Sequence, residues 1–198
     1  MSNHYRPKKL ADDGSKLMGV LFTSRNKDNN GLDGFRPRYR SFLTRQPIDS
    51  DELNGAFDRF VAEGLPMESC RFYVSVNARD NDKVRKAMMH ALIDCDDIDM
   101  ASIGQMAVSL AFRKENASER KWMFDVDTKD VRVLDGLLDE INRVSDSTGV
   151  PNQVTVNDTP NGWHVITEHG FDTRGVDMTG IELKRDALTL VRCAVNAS

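Results

Sequence analysis

Asp125 and Asp127 stand two positions apart in residues 121–128, KWMFDVDT, the most strand-like interior segment of the chain. Successive side chains of a strand point to opposite faces, so the two carboxylates share one face, about 6–7 Å apart. Like charges at that spacing repel each other unless a cation lies between them, and paired carboxylates suit Mg²⁺ or Mn²⁺. Such an ion holds phosphates and activates a hydroxyl group. The pair therefore predicts a metal site; the alternative is an exposed strand face, or an Asp127 that enters the turn before the next helix.

His164 follows a tight Pro-Asn-Gly turn in residues 159–167, TPNGWHVIT, and lies on a predicted strand. Alternation places His164 and Ile166 on one face of that strand. If this strand belongs to the same sheet as the aspartates, His164 can lie on the face that bears them. An imidazole there can contact a phosphate oxygen, donate a proton or orient a ligand. A single His on a strand is also a common structural residue, and this alternative stays open.

A third group of charged residues precedes the last predicted strand, in residues 182–193, ELKRDALTLVRC. Asp186, or Glu182 four positions earlier, is a candidate third carboxylate for the metal site. Lys184 and Arg185 are candidate phosphate ligands, because their cationic side chains neutralise phosphate oxygens. Alternating charge before a strand is otherwise typical of a solvated strand end.

Basic side chains are concentrated in one segment near the N-terminus. Residues 25–45 hold six basic residues against two acidic ones, whereas the whole chain has a formal net charge of −4. That overall charge argues against nucleic-acid binding by the whole surface. Arg36, Arg38 and Arg40 are candidates to follow a nucleic-acid backbone, with Tyr39 nearby to stack on a base. The alternative is a solvated loop.

Composition indicates one soluble globular domain. The chain has 198 residues, of which 39% are hydrophobic and 29% charged, which is enough for a real core. No apolar run reaches the roughly 18 residues of a membrane span, so no membrane partner is expected. The three cysteines are scattered and the N-terminus lacks a signal-peptide pattern, which favours a cytoplasmic protein. Residues 1–15 are expected to form a flexible tail.

Strand and helix periods alternate along the rest of the chain. The first half predicts three strands and three helices: strands at 16–24, 39–45 and 71–79, and helices capped near Asp49 and Asp80 and at 99–114. The second half predicts a strand at 121–128, a helix at 131–147, two strands within 153–167, a short helix or loop, and a last strand at 188–195. Asp49 and Glu52 form the expected capping box of the first helix. The pattern predicts an α+β fold whose second half is a small sheet with helices on one face.

The order of these motifs resembles the archaeo-eukaryotic primase, or primase-polymerase, superfamily, in particular its small stand-alone members of phage type. The resemblance depends on MFDVD, NGWH and KRDALTLV and is firmest over residues 120–192. It implies a single primase small-subunit-like domain over 16–198. Within it, a β-α N-terminal module would cover about 16–118, and an RRM-like catalytic sheet about 119–198.

The same resemblance implies roles for the candidate residues. Asp125, Asp127 and Asp186 would hold Mg²⁺ or Mn²⁺, and His164 would contact the phosphates of the incoming nucleotide. The implied function is a metal-dependent nucleotidyltransferase, similar to a DNA primase, that uses nucleoside triphosphates and a single-stranded nucleic acid. Two alternatives remain: a metal-dependent phosphodiesterase or nuclease at the same site, or a non-catalytic nucleic-acid-binding or inhibitor protein of phage type. The sequence does not predict the oligomeric state.

Overall fold

The computed structural model describes residues 16–94 and 98–197, so the expected tail at 1–15 lies outside the described residues. The described chain forms two four-stranded antiparallel sheets and four α-helices, which confirms the α+β class. In chain order the elements are β1 (Met18–Ser24), β2 (Arg38–Thr44), α1 (Asp51–Ala62), β3 (Ser69–Ser75), α2 (Asn81–Asp94), α3 (Ile103–Ala111), β4 (Trp122–Val126), α4 (Val131–Thr148), β5 (Val154–Asp158), β6 (Trp163–Thr167), β7 (Ile181–Lys184) and β8 (Leu188–Val195). Among the described helices, none is long and apolar enough to cross a membrane.

The first sheet has the strand order β2-β1-β3-β8 and packs against α1. Phe22 of β1 and Phe72 of β3 are fully buried, and their ring centroids lie 5.0 Å apart. Phe57 of α1 joins this cluster, with its centroid 5.3 Å from that of Phe22. Burial of each such ring stabilises the fold by roughly 1.5–3 kcal/mol. The apolar face of the sheet is therefore fixed against α1, and the opposite face of its strands remains for other contacts.

The second sheet has the strand order β5-β6-β4-β7, so the aspartate strand β4 lies in its interior. Phe124 and Val126 of β4 and Val165 of β6 are buried against Leu137 and Ile141 of α4. This arrangement is the one that alternation predicted, with the even-numbered side chains of β4 facing the helix. The odd-numbered side chains of β4 consequently face the first sheet.

The described ends of α1 and α4 are capped by residue types that are common at helix termini. The N-terminus of α4 is capped by Asp130, and its C-terminus by Gly149, whose φ of 67° is left-handed. At the start of α1, Ser50 accepts a hydrogen bond from Leu53 N. The expected cap one residue earlier, at Asp49, is wrong, because the helix begins one residue later than that pattern requires.

Two segments near the C-terminus differ from the expectation. The segment expected as a short helix or loop contains β7, which pairs with β4, and its apolar side chains Ile181 and Leu183 pack in the α4 layer. Apolar and charged side chains alternate over the four residues Ile181–Lys184, a pattern that is typical of a strand. The last strand, β8, pairs with β3 of the first sheet and not with the second sheet. The expected boundary near residue 118 therefore does not separate the two sheets.

The two sheets meet through a small apolar contact. Val76, Met123 and Ile166 are buried together where the ends of β3, β4 and β6 approach each other. Beside them, Asn77 exchanges two hydrogen bonds with the backbone of Lys121, at 2.8 and 3.2 Å. Beyond this contact the facing surfaces separate and leave a cleft.

Candidate active site between the two sheets

The cleft between the sheets has a volume of about 390 Å³, within the range of small-molecule sites. Both sheets contribute to its walls. The first sheet and the turn after β1 contribute Leu21, Thr23, Arg25, Lys27, Arg71, Tyr73, Leu188 and Leu190. The second sheet and its turns contribute Met123, Asp125, Asp127, Thr159, Pro160, Asn161, His164 and Lys184. Four residues predicted as one site from sequence, Asp125, Asp127, His164 and Lys184, are thus brought together.

Asp125 lies at the centre of the second wall, between two neighbours in register. His164 of β6 lies directly opposite on one side and Glu182 of β7 on the other. Lys184 Nζ lies 2.6 Å from Asp125 Oδ2 and 3.1 Å from Glu182 Oε2. Burial acts against the charge of Lys184, yet its hydrogen bonds to these two carboxylates raise its pKa above the ordinary value. An ammonium group thus neutralises Asp125 in the ligand-free protein.

Asp127 has a different environment from Asp125. Its side chain is exposed at the end of β4, and its backbone N donates to Gly180 O at 3.1 Å. Across residues 16–94 and 98–197, the Asp127 carboxylate makes no hydrogen bond or ion pair. The following helix is capped by Asp130. Asp127 thus follows the end of β4 and enters the segment before α4, as the alternative interpretation expected. Its carboxylate is not used as a helix cap and is available to a ligand in the cleft.

His164 is almost completely buried, with 7% of its surface exposed. Its Nε2 is directed toward the cleft, 3.5 Å from Asp125 Oδ1, and its Nδ1 is directed toward β8. Burial lowers the pKa of the ring below its ordinary value, although Asp125 acts in the opposite direction. The neutral form of the ring is therefore favoured near pH 7.

The turn between β5 and β6 reaches the cleft because it packs tightly on the end of β4. A Cβ at Gly162 would lie 1.7 Å from Val126 O, so only glycine permits this close approach. Thr159 N donates to Gly162 O at 2.9 Å, which closes the turn. Lys129 Nζ donates to Thr159 O at 2.7 Å and ties the turn to the segment after β4. Pro160 and the neighbouring asparagine are thereby held beside Asp127.

The wall opposite the aspartates is cationic. Arg25, Lys27 and Arg71 line it, and Tyr73 stands next to Arg71 on β3. Arg25 Nε donates to Asp28 Oδ2 at 2.9 Å, and Arg71 also pairs with this carboxylate. Burial would raise the pKa of Asp28, but these hydrogen bonds hold it below its ordinary value. Arg71 and Tyr73 are two positions apart on β3 and so share one face, but neither was named as a site residue from the sequence.

Asp186 is not among the residues that line the cleft. Its two carboxylate oxygens each lie 2.9 Å from a guanidinium nitrogen of Arg79, whose side chain is fully buried. This bidentate pair joins the β7–β8 connection to the segment between β3 and α2. The carboxylate beside Asp125 is instead that of Glu182, the other acid that the sequence offered.

The other predicted basic residues also lie outside the cleft lining. The Arg185 guanidinium lies 4.9 Å from the ring centroid of Trp122. Arg40 pairs at 3.2 Å with Glu63, the residue that follows α1, and Arg36 is exposed on the loop before β2. These positions are on the surface or in structural contacts.

Arg38 has a structural partner in Glu68. Arg38 Nε donates to the nearly buried Glu68 carboxylate at 2.7 Å, and Leu65 N donates to the same side chain at 2.8 Å. Burial would raise the pKa of Glu68, but these hydrogen bonds lower it. Most of the donors of Arg38 thus face the protein and not a passing nucleic-acid backbone.

The donor set of the cleft fits a divalent ion that is shared with phosphates. Within the described ranges, no cluster of three or more His, Cys, Asp or Glu side chains could hold a metal ion. Mg²⁺, however, is usually bound by one or two carboxylates together with substrate phosphates and waters. Asp127 would supply one such carboxylate, and Asp125 would supply a second only if Lys184 moved away from it.

Comparison with known proteins adds no relative from which a function can be transferred. No family model, no curated protein and no solved structure matches the chain. The functional conclusion therefore depends on the chemistry of the cleft.

Proposed function

We propose that the chain is a metal-dependent nucleotidyltransferase of primase-polymerase type that uses nucleoside triphosphates with Mg²⁺ or Mn²⁺. The observation that supports this most directly is the composition of the cleft. Asp125 and Asp127 line one wall, and Arg25, Lys27 and Arg71 line the other. Carboxylates facing cations across one cleft suit a metal-bound polyphosphate, whose two components have opposite charges.

The topology of the second sheet supports the finer part of the proposal. Its elements follow the order β4-α4-β5-β6-β7, and β4 lies between β6 and β7. This is the β-α-β-β-α-β pattern of small split sheets without its second helix, which residues 168–180 replace by a loop. An RRM-like catalytic sheet would hold its paired aspartates on such an interior strand.

The side chains of the cleft have separate tasks in this proposal. Lys27 and Arg25 bind phosphate oxygens from the first sheet, and Lys184 moves from Asp125 to a phosphate as the nucleotide enters. Asp125 and Asp127 would hold the divalent ion, whose chemistry when bound would be to activate a hydroxyl group and to neutralise phosphate charge. His164 donates a hydrogen bond from its ring. A single-stranded template would approach along the exposed loop that bears Arg36.

A non-catalytic nucleotide-binding protein is the second candidate. The specific observation that favours it is the short contact between Lys184 and Asp125, 2.6 Å, which occupies a carboxylate that the ion needs. In that case triphosphates bind without chemistry. Hydrolysis of a phosphodiester by the same residues differs only in the use of water as the nucleophile.

Thermal unfolding with Mn²⁺, with each nucleoside triphosphate and with both together tests the proposal. The combination is expected to raise Tm for the wild type and for D135N, an exposed aspartate on α4, but not for the double variant D125N/D127N. Primer synthesis or extension on a single-stranded template then separates a transferase from a binding protein. Equal Tm values for the wild type under all conditions would contradict nucleotide use.

A further inference from the structure

We infer that His164 is a fixed hydrogen-bond donor in the cleft, with its ring proton on Nε2, and that Thr189 is a positioning residue that holds this ring together with the backbone N–H of Leu190. The inference concerns the ligand-free protein and is independent of the ligand that enters. Only its last step, donation to a phosphate oxygen, rests on the proposed function.

The backbone of Leu190 determines which ring nitrogen lacks a proton. Leu190 N lies 3.3 Å from His164 Nδ1. A backbone N–H can only donate, so Nδ1 must accept through its lone pair. The single proton of the neutral ring is then on Nε2. A proton on Nδ1 would direct two N–H groups at each other inside the protein.

Thr189 supplies a second donor to the same nitrogen. Its Oγ1 lies 3.0 Å from His164 Nδ1, and the residue is fully buried. Asn157 Nδ2 donates to Thr189 Oγ1 at 3.2 Å and occupies a lone pair of the hydroxyl. Because Nδ1 carries no proton, the 3.0 Å contact is made by the hydroxyl proton of Thr189, which shares the single lone pair of Nδ1 with Leu190 N. Because β8 belongs to the first sheet, one wall of the cleft orients a ring that belongs to the other wall.

The Nε2 side of the ring has no comparable partner. Asp125 Oδ1 lies 3.5 Å from Nε2, farther than either hydrogen-bond partner lies from Nδ1, at 3.0 and 3.3 Å. In the part of the chain that the structure describes, Nε2 makes no hydrogen bond. The contacts at Nδ1 thus hold the ring in place, and the Nε2–H group remains as a donor that is directed into the cleft. An oxygen atom of a ligand can accept from it without first displacing a protein contact.

Nitrogen NMR of the ligand-free protein tests the tautomer directly. Long-range correlations of the ring nitrogens with the ring protons identify which nitrogen is protonated, and the signals of His164 are assigned by their loss in H164Q. The wild type is expected to show an unprotonated Nδ1 and a protonated Nε2. T189V is expected to move the Nδ1 resonance toward that of a less strongly hydrogen-bonded nitrogen, and T189S to restore it.

T167V is the matched control, because Thr167 is a fully buried threonine on β6 whose hydroxyl donates to His169 O at 3.1 Å. It removes a buried hydroxyl from the strand of His164 without touching the ring, so the Nδ1 resonance should stay at its wild-type position. A proton on Nδ1 in the wild type, or a T189V spectrum identical to the wild type, would overturn the inference. The wild-type measurement decides the tautomer even if T189V does not fold.

Triphosphate binding in the presence of Mn²⁺ tests the last step. T189V is expected to weaken binding about fivefold, the effect of roughly one ordinary hydrogen bond, whereas T189S and T167V should bind like the wild type. Equal affinity of T189V and the wild type would refute donation by a positioned ring. If neither the wild type nor any variant binds triphosphate, the proposed function fails. The inference about Thr189 is then still decided by the Nδ1 resonances of the wild type and T189V.

Discussion

D125N and D127N are expected to affect the stability of the ligand-free protein differently, although the two aspartates share one strand face. The side chain of Asp125 is 17% exposed, and its Oδ2 lies 2.6 Å from Lys184 Nζ. Asparagine keeps the shape but loses the charge, so Lys184 retains only the exposed Glu182 carboxylate at 3.1 Å. Asp127 is exposed and makes no such contact, so D127N removes a like charge and little else.

The expected magnitudes follow from these contacts. A hydrogen bond between charged groups contributes about 1.5–3 kcal/mol, whereas a surface substitution changes stability by no more than about 0.5 kcal/mol. With a urea m-value of roughly 2 kcal/mol/M, D125N lowers the unfolding midpoint by roughly 1 M. D127N changes the midpoint by less than about 0.3 M in either direction.

Urea unfolding followed by tryptophan fluorescence measures both effects, because Trp122 and Trp163 flank the site on β4 and β6. Each variant is unfolded alone and with Mn²⁺ plus a nucleoside triphosphate. At a ligand concentration of about 100 Kd, the wild type gains about 2.7 kcal/mol, and the double variant should gain nothing. If D127N were destabilised and D125N were as stable as the wild type, Lys184 would not be the counter-ion of Asp125.

Three further predictions concern other parts of the fold. G162A is expected to destabilise the protein by about 1–3 kcal/mol in urea unfolding, because the added Cβ would collide with a backbone oxygen. G136A is the control on α4, where the added Cβ meets no atom, and it should stabilise the protein by about 0.5–1 kcal/mol. Equal effects of the two variants would contradict the close approach of the turn to β4. Hydrogen bonds hold the pKa of Glu68 below 4.5 against the effect of burial, so E68Q should be less stable than the wild type above about pH 4.5. The difference in unfolding free energy should shrink as pH falls through the folded-state pKa of Glu68. A difference in unfolding free energy that is independent of pH from 3 to 7 would contradict this. K27A should weaken triphosphate binding in calorimetry more than R36A does, since Lys27 lines the cleft and Arg36 does not; the reverse order would place the phosphates elsewhere.

Local patterns predicted the faces of the strands well and their long-range partners poorly. Alternation correctly oriented Asp125 on β4 and His164 on β6, because one face of each strand is buried and a shift by one residue would reverse it. Alternation also determines the face of β3 that bears Arg71, but nothing in the sequence showed that this face would lie opposite the aspartates. The pairing of β8 with β3 joins residues more than a hundred positions apart, and no local pattern reports such a contact. The position of Asp186 outside the cleft lining was not predictable for the same reason, since its partner Arg79 is also more than a hundred positions away.

Lys184 changes the argument that first suggested a metal ion. Two carboxylates on one strand face were expected to need a cation between them, and the chain itself supplies one for Asp125. The lining of the cleft nevertheless holds more cations than carboxylates, since two aspartates are outnumbered by Arg25, Lys27, Arg71 and Lys184. Two acids outside the lining balance this difference, because Asp28 pairs with Arg25 and Arg71 and Glu182 pairs with Lys184. Such a lining is poorly suited to a divalent cation alone and well suited to a divalent ion that enters with a polyphosphate, because the pair is anionic overall. In the proposed function the ion would be a component of the substrate complex, and Lys184 would leave Asp125 only when phosphate oxygens are present to receive its charge.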